Sequence, residues 1–473
     1  MAPIAWLDAN DREFARVDVV MIVRRAPVAQ HELHREHSAP RDPFLGKCLW
    51  NPRTIEQSPP EAPLPESRTR GCQDLTLHAQ MRRKRRLRTA AWALVAAVLV
   101  SASGLLAIGW YFTDQLLTPN HAAPTYNLLV HNVTPASIEL DRTSDTIRRG
   151  IWGLEWAGGH AIVGEVTATS ETTVTRVLRR TTAPMRPGLR VVVSSQVYWS
   201  DPEQSFGIMS RAIKIPSDTG LLPAWYVPGP SRAFAIVVHG YNASMTDGER
   251  LVPALAGLGL PVVLIDYRND VDAPASADRL WHLGDTEWRD LESATRWVLS
   301  QGAEQIVLVG ISMGGALVEM FIQRSSLAKR VVAVVLDSPV LDWDAVLRFQ
   351  AARRHLPGIV VASTETVIRL RIGFDVSTYN LVRDAAAMNL PTLLYQDGQD
   401  ALVPPGVAAE LATARPDLVE YHFFSDAGHA EEWNVDPSLY DETLHSFLVA
   451  KVSGSSALGS RLLASCALVL TNS

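Results

Sequence analysis

Ile306-Val307-Leu308-Val309-Gly310-Ile311-Ser312-Met313-Gly314-Gly315 decides the fold of this chain. Its opening residues are apolar and mostly β-branched, the composition of a strand buried on both faces of a parallel sheet. Ala316 to Gln323 then carries a helical pattern. Between them stands Gly-x-Ser-x-Gly, Gly310 to Gly314. A sharp strand-to-helix turn lifts the Ser312 hydroxyl clear of the sheet, as a nucleophile requires. Gly310 and Gly314 lack a Cβ, so neighbouring backbone can crowd past the turn. The Met313 amide falls at a helix N-terminus, where unpaired N–H groups and the helix dipole favour an oxyanion. The five-residue pattern is weak alone; strand before and helix after make it a nucleophile elbow.

Working outward, the same rhythm repeats. Ala233 to Val238 reads as a buried strand ending in His239-Gly240-Tyr241-Asn242. Pro261 to Asp266, Arg330 to Asp337, Thr392 to Asp397 and Tyr421 to Phe424 read as further strands. Gly248 to Leu258 and Thr286 to Ser300 read as helices between them, the second with Leu291, Ala294, Trp297 and Val298 on one face. This alternation predicts an α/β class protein: a doubly wound, mainly parallel sheet with its site at the strands' carboxyl ends. Arg211 to Ile215 and Leu222 to Pro228 read as antiparallel entry strands. The stretch from Ser338 to Leu390 exceeds what one crossover needs, and predicts a small helical cap over residues 338–390.

A serine nucleophile needs a base, and the base an orienting carboxylate, in the chain order Ser, acid, His for this class of sheet. Asp400 follows the strand ending at Tyr395 and is the preferred acid; Asp397 is its nearest rival and Asp337 a weaker one. His429, after Gly428 in a post-strand loop, is the preferred base. Asp426 reads as a turn cap. His239 follows an early strand, where the second oxyanion donor is expected. It therefore reads as shaping that loop, with the amides of Tyr241 and Met313 as the two donors. The remaining histidines, His282, His355, His422 and His445 among them, have no partner motif. His429 with Glu431 and Glu432 lacks metal-ligand spacing, so neither a metal nor a cofactor is expected.

Outside this body the chain changes character. Residues 1–80 are rich in Arg, His, Pro and Glu and read as disordered, either a gene-model extension with Met81 as initiator or a cytoplasmic tail. Met81 to Arg88 holds six basic residues, and Thr89 to Phe112 is an uncharged apolar run long enough to span a bilayer. Trp92 and Trp110-Tyr111 sit near its ends, as interface aromatics do. The expectation is an uncleaved single-pass anchor at residues 81–118 in a cell membrane, N-terminus cytoplasmic and the rest outside. Residues 119–195 alternate in short runs and read as a β-rich module or an extension of the sheet. The tail, residues 451–473, reads as a last helix or disorder. With 473 residues, a net charge of −6 and three cysteines (Cys48, Cys72, Cys466), the chain has room for two domains and gives no sign of a nucleic-acid partner. None of those cysteines falls between residues 73 and 465, so the body has no internal disulfide and no thiolate cluster.

Taken in order, His239-Gly240-Tyr241, Gly310 to Gly315, Asp397-Gly398-Gln399-Asp400-Ala401-Leu402-Val403-Pro404 and Ala427-Gly428-His429 resemble the α/β-hydrolase family. Asp266-Tyr267-Arg268-Asn269, Asp337-Ser338-Pro339 with Trp343, and Trp433-Asn434 after His429 look like its membrane-attached, BEM46-like serine hydrolases, as found in actinobacteria. The resemblance covers about residues 195–450. It implies a Ser312, Asp400, His429 triad without a cofactor, and esterase, lipase, thioesterase or peptidase chemistry on a small-molecule acyl substrate. The catalytic domain is thus expected at residues 196–450. The competing expectations are an acyltransferase on the same triad and a non-catalytic, membrane-tethered scaffold.

Overall fold

The computed structural model describes residues 67–452. The tail beyond residue 452 and residues 1–66, on which two expectations fell, lie outside the described residues. The chain divides into two compact units, with the break between residues 103 and 104. A long helix, α1 (Ser67–Leu117), runs through that division. It begins before Met81, so residues 67–80 are helical rather than disordered as expected. Side chains at residues 81–104 are all exposed, and Gln80–Leu117 is long and apolar enough to cross a membrane by length and composition.

Residues 128–194 form a closed antiparallel barrel of six strands: β1 (Leu128–Val133), β2 (Ser137–Asp141), β3 (Trp152–Trp156), β4 (Gly159–Thr169), β5 (Thr173–Thr181) and β6 (Arg190–Ser194). The order is β1-β2-β5-β4-β3-β6, and β1 pairs with β6 to close the ring. The β-rich module is thus a separate barrel and not an extension of the sheet. Alternation fills it: Val130, Ile138, Leu140, Leu154, Val163 and Val174 point inward and are fully buried.

The second sheet has eight strands. Two entry strands, β7 (Arg211–Pro216) and β8 (Leu221–Val227), pair antiparallel, and β8 lies antiparallel to β10 (Val262–Ile265). β9 (Ala233–Val238), β11 (Gln305–Ile311), β12 (Val331–Asp337), β13 (Thr392–Asp397) and β14 (Val419–Phe424) run parallel to β10. The order is β14-β13-β12-β11-β9-β10-β8-β7. Strands β9, β10 and β11 are apolar and buried nearly throughout, because helices cover both faces. The chain leaves β9 toward β10 on one side and returns to β11 on the other. That reversal opens a crevice at the carboxyl ends of β9 and β11. The cap is a pair of helices, α2 (Trp343–Arg353) and α3 (Gly358–Ile372), followed by short helical turns.

Candidate active site

Ser312 closes β11 with φ 54°, a strained conformation for a residue with a Cβ, and α4 (Met313–Arg324) starts at the next residue. The crowding expected of the elbow glycines is present. A Cβ on Gly314 would meet the Val238 carbonyl oxygen at 2.3 Å, and one on Gly310 would meet the Gly314 carbonyl oxygen at 2.7 Å. The loop after β9 presses on the same serine: a Cβ on Gly240 would lie 3.0 Å from Ser312 Cβ. The Met313 amide, in the first turn of α4, lacks an intrahelical acceptor. Tyr241 and Met313 line the same cavity as Ser312.

The structure brings the preferred base and acid to this serine. His429 Nε2 lies 2.7 Å from Ser312 Oγ, and His429 Nδ1 lies 2.8 Å from Asp400 Oδ2. Asp400 Oδ1 accepts from the amides of Leu402 at 2.7 Å and Val403 at 2.8 Å, which fixes the carboxylate in its loop. Burial alone would depress the His429 imidazole, but the adjacent Asp400 carboxylate outweighs it and raises the pKa above the ordinary value. A hydroxyl bonded to such a ring can pass its proton to Nε2 as the oxygen attacks an electrophile.

The rival acids are placed elsewhere. Asp397 faces the His429 loop from behind: it accepts from the Ala430 amide at 2.8 Å and from the Ser338 hydroxyl. Burial holds its carboxyl well above the usual range, as it does for Glu432, which accepts from the same hydroxyl at 2.9 Å. Asp337 takes Arg250 at 3.0 Å and the Tyr440 hydroxyl at 2.9 Å. Asp426 sits in a turn as expected and also pairs with Arg149 of the barrel loop at 2.6 Å. His282 and His422 each pair with a carboxylate, Asp278 at 2.9 Å and Glu420 at 3.0 Å, away from the cavity. His239 is fully buried against Asp270 at 2.9 Å, with Asp266 at 3.6 Å. Its second nitrogen lies 2.9 Å from its neighbour's carbonyl, at Gly240.

Among the described residues, two trios have donor atoms close enough to share an ion: His239, Asp266 and Asp270, and Asp397, Asp400 and His429. In the second, both His429 nitrogens and the Asp400 oxygens are engaged by Ser312, by each other and by backbone amides, a donor set matched to proton transfer.

Two contributions come from outside the quoted motifs. From the barrel loop, Arg148 reaches Glu431 with both guanidinium nitrogens, Nη1 at 3.0 Å, and Glu431 in turn accepts from the Gly428 amide at 2.9 Å. Asn434 donates to the carbonyls of Ile151 at 2.9 Å and Ser195 at 2.8 Å. The barrel therefore grips the segment that carries His429. The other contribution is a cavity of about 200 Å³ in front of Ser312 and His429, with apolar walls from the cap. Residues of α1 line it too.

Parts of the chain are similar to known proteins. Residues 236–356 match the family model described as the alpha/beta hydrolase fold, and residues 129–194, the barrel, match a domain of unknown function (DUF8805). An uncharacterized protein of Mycobacterium tuberculosis, strains CDC 1551 / Oshkosh and H37Rv, is 25% identical over 246 residues, covering 50% of this chain and 79% of that protein. Among solved structures, an esterase of Pyrococcus furiosus aligns with a TM-score of 0.43 and 20% identity, covering 54% of this chain and 96% of its own. A thermophilic esterase of Thermogutta terrifontis aligns at 0.37 and 18%, covering 50% and 98%. The matched segment, read with the sheet order and the elbow at the end of β11, gives this chain an α/β-hydrolase fold.

Proposed function

We propose that this protein is a membrane-tethered serine hydrolase of the BEM46-like type that cleaves carboxylic esters or thioesters. One observation carries the reading: Ser312, His429 and Asp400 are linked by hydrogen bonds, and Ser312 and His429 line an apolar cavity. Ser312 Oγ attacks the substrate carbonyl and its proton passes to His429 Nε2. The oxyanion is held by the amides of Met313 and Tyr241, each such donor contributing about 3 kcal/mol to the transition state. His429 then gives the proton to the departing alcohol or thiol, leaving an acyl-Ser312. Water attacks that acyl group, His429 takes the water proton and returns it to Ser312, and the carboxylic acid departs. Asp400 fixes the ring's tautomer and stabilises the imidazolium.

The membrane part of the proposal rests on the apolar run at residues 89–112, whose side chains are nearly all exposed along α1. So much exposed apolar surface is unfavourable in water and favourable in hydrocarbon. The six basic residues before it favour a cytoplasmic N-terminus.

The test is labelling by a fluorophosphonate of the wild type and of Ser312→Ala, followed by hydrolysis of nitrophenyl esters. Labelling and turnover lost together in Ser312→Ala is the expected result. A folded wild type that takes no label and turns over no ester sinks the proposal in favour of the scaffold.

A further inference from the structure

We infer that the end of α1 is a wall of the substrate cavity, and that the site takes the acyl chain of an amphiphile resident in the same membrane, delivered along that helix. The inference rests on the hydrolase reading above and names its substrate class.

The helix end is built into the site rather than tethered beside it. Phe112, Gln115 and Leu116 line the cavity that holds Ser312 and His429. The Gln115 carbonyl accepts from Tyr241 Oη at 3.0 Å, so α1 touches the loop whose amide is the proposed oxyanion donor. The Leu117 carbonyl accepts from the Trp281 amide at 2.7 Å.

Against the cap the packing is of the close, small-residue kind that membrane helices use. A Cβ on Gly109 would meet Ser363 Oγ of α3 at 2.5 Å, and that hydroxyl donates to the Leu105 carbonyl at 2.6 Å. Thr113 is fully buried at the same crossing. Arg371 spans its lower edge, 4.6 Å over the Trp110 ring and 3.1 Å from Asp114. The wall therefore keeps one position.

The outer sides of this helix pair are apolar and bare. Leu106, Ile108 and Trp110 on α1, and Ile359 and Leu370 on α3, are 43–73% exposed. Phe112 is the last residue of the apolar run 89–112 that is proposed to enter the bilayer. Past Phe112 and Leu116 the cavity wall is apolar, so an acyl chain entering beside α1 meets hydrocarbon-like surface up to Ser312. A soluble ester has no need of such a wall.

Full-length protein in phosphatidylcholine vesicles tests this in two arms. In the first, wild type is labelled with a dodecyl fluorophosphonate carrying a terminal diazirine and then irradiated. The expected cross-link falls in the peptide holding residues 104–117. Labelling with cross-links confined to the cap overturns the helix wall; no labelling at all overturns the hydrolase reading instead. In the second, nitrophenyl palmitate is placed either in the vesicles that hold the protein or in separate ones. Hydrolysis at least tenfold faster in the shared vesicles is expected. Equal rates, with nitrophenyl butyrate still cleaved, overturn delivery through the membrane. Leu116→Trp adds a third readout: the palmitate-to-butyrate ratio of kcat/KM falls tenfold or more, while Leu106→Trp, on the outer side, leaves it unchanged.

Discussion

Two buried histidines in this molecule each face an aspartate at nearly the same distance, His429 with Asp400 at 2.8 Å and His239 with Asp270 at 2.9 Å. Both follow a strand of the same sheet, and both have raised pKa values. What the remaining ring nitrogen meets sets them apart. In His429 it faces the Ser312 hydroxyl and an open cavity. In His239 it faces the Gly240 carbonyl, while the ring stacks on Tyr267 with centroids 4.4 Å apart. A histidine–carboxylate pair is thus a device for fixing a ring; what the ring does depends on what its far side meets.

The sharpest way to break the comparison is to remove each partner in turn. Ser312→Ala is expected to lower kcat for nitrophenyl esters by about 10⁶-fold with an unchanged Tm, since the triad acts as a unit. Asp400→Asn should cost about 10⁴-fold, because the ring loses the tautomer that leaves Nε2 free to accept. His239→Ala should act on stability instead. It strands the buried carboxylates of Asp270 and Asp266, at a cost of about 3–5 kcal/mol in chemical denaturation, while the folded fraction still takes the fluorophosphonate. A His239→Ala protein of normal stability that no longer labels would reverse the two roles.

Proton linkage separates the pairs next. His429 must be neutral to accept the serine proton, so kcat/KM should rise with pH through an apparent pKa above the ordinary histidine value of about 6.5. Burial lowers and Asp270 raises the His239 pKa, with a net rise to about 9. A folded pKa above the unfolded one means that the stabilisation is fully present below about pH 6.5 and lost as pH climbs through about 9. Asp266, pushed up to about 7 by burial, acts in the same direction at lower pH. Tm should therefore fall across pH 7 to 9 while kcat/KM at low temperature does not. In His239→Gln the upper part of that Tm slope should vanish.

The smallest effects come from the barrel. Arg148→Ala removes a two-pronged, half-buried grip on Glu431 and should lower kcat by about tenfold, the order of loss expected when a positioning contact to a catalytic loop is cut. Its neighbour Arg149, exposed with Asp426, should cost under about 1 kcal/mol and leave kcat alone.

Much of this was legible beforehand, for local reasons. Strands such as Ala233–Val238 and Val262–Ile265 are buried on both faces, and their unbroken apolar runs mark them. Ser312, Asp400 and His429 sit in loops directly after strands, where spacing speaks. The barrel was half visible. β3 carries Gly153 at its second position, which argues against a strand in sequence, and ring closure between β1 and β6 joins residues some sixty positions apart. The helix wall and the Arg148 grip were not legible at all. Arg148 and Glu431 are 283 positions apart, and Gly109 against Ser363 is a matter of tertiary packing.

The Arg148 grip has its own anchor. Arg176, buried in the barrel, donates to the carbonyls of Thr146, Arg148 and Gly150 at 2.5–2.9 Å, which gives the loop a fixed shape. During synthesis these residues emerge well before the His429 segment, so the proposed base is captured late. Such late, long-span contacts carry the greatest closure cost and are among the first to open. On warming, the proposed site should therefore lose its base before the sheet melts, because the barrel's hold on that segment opens first.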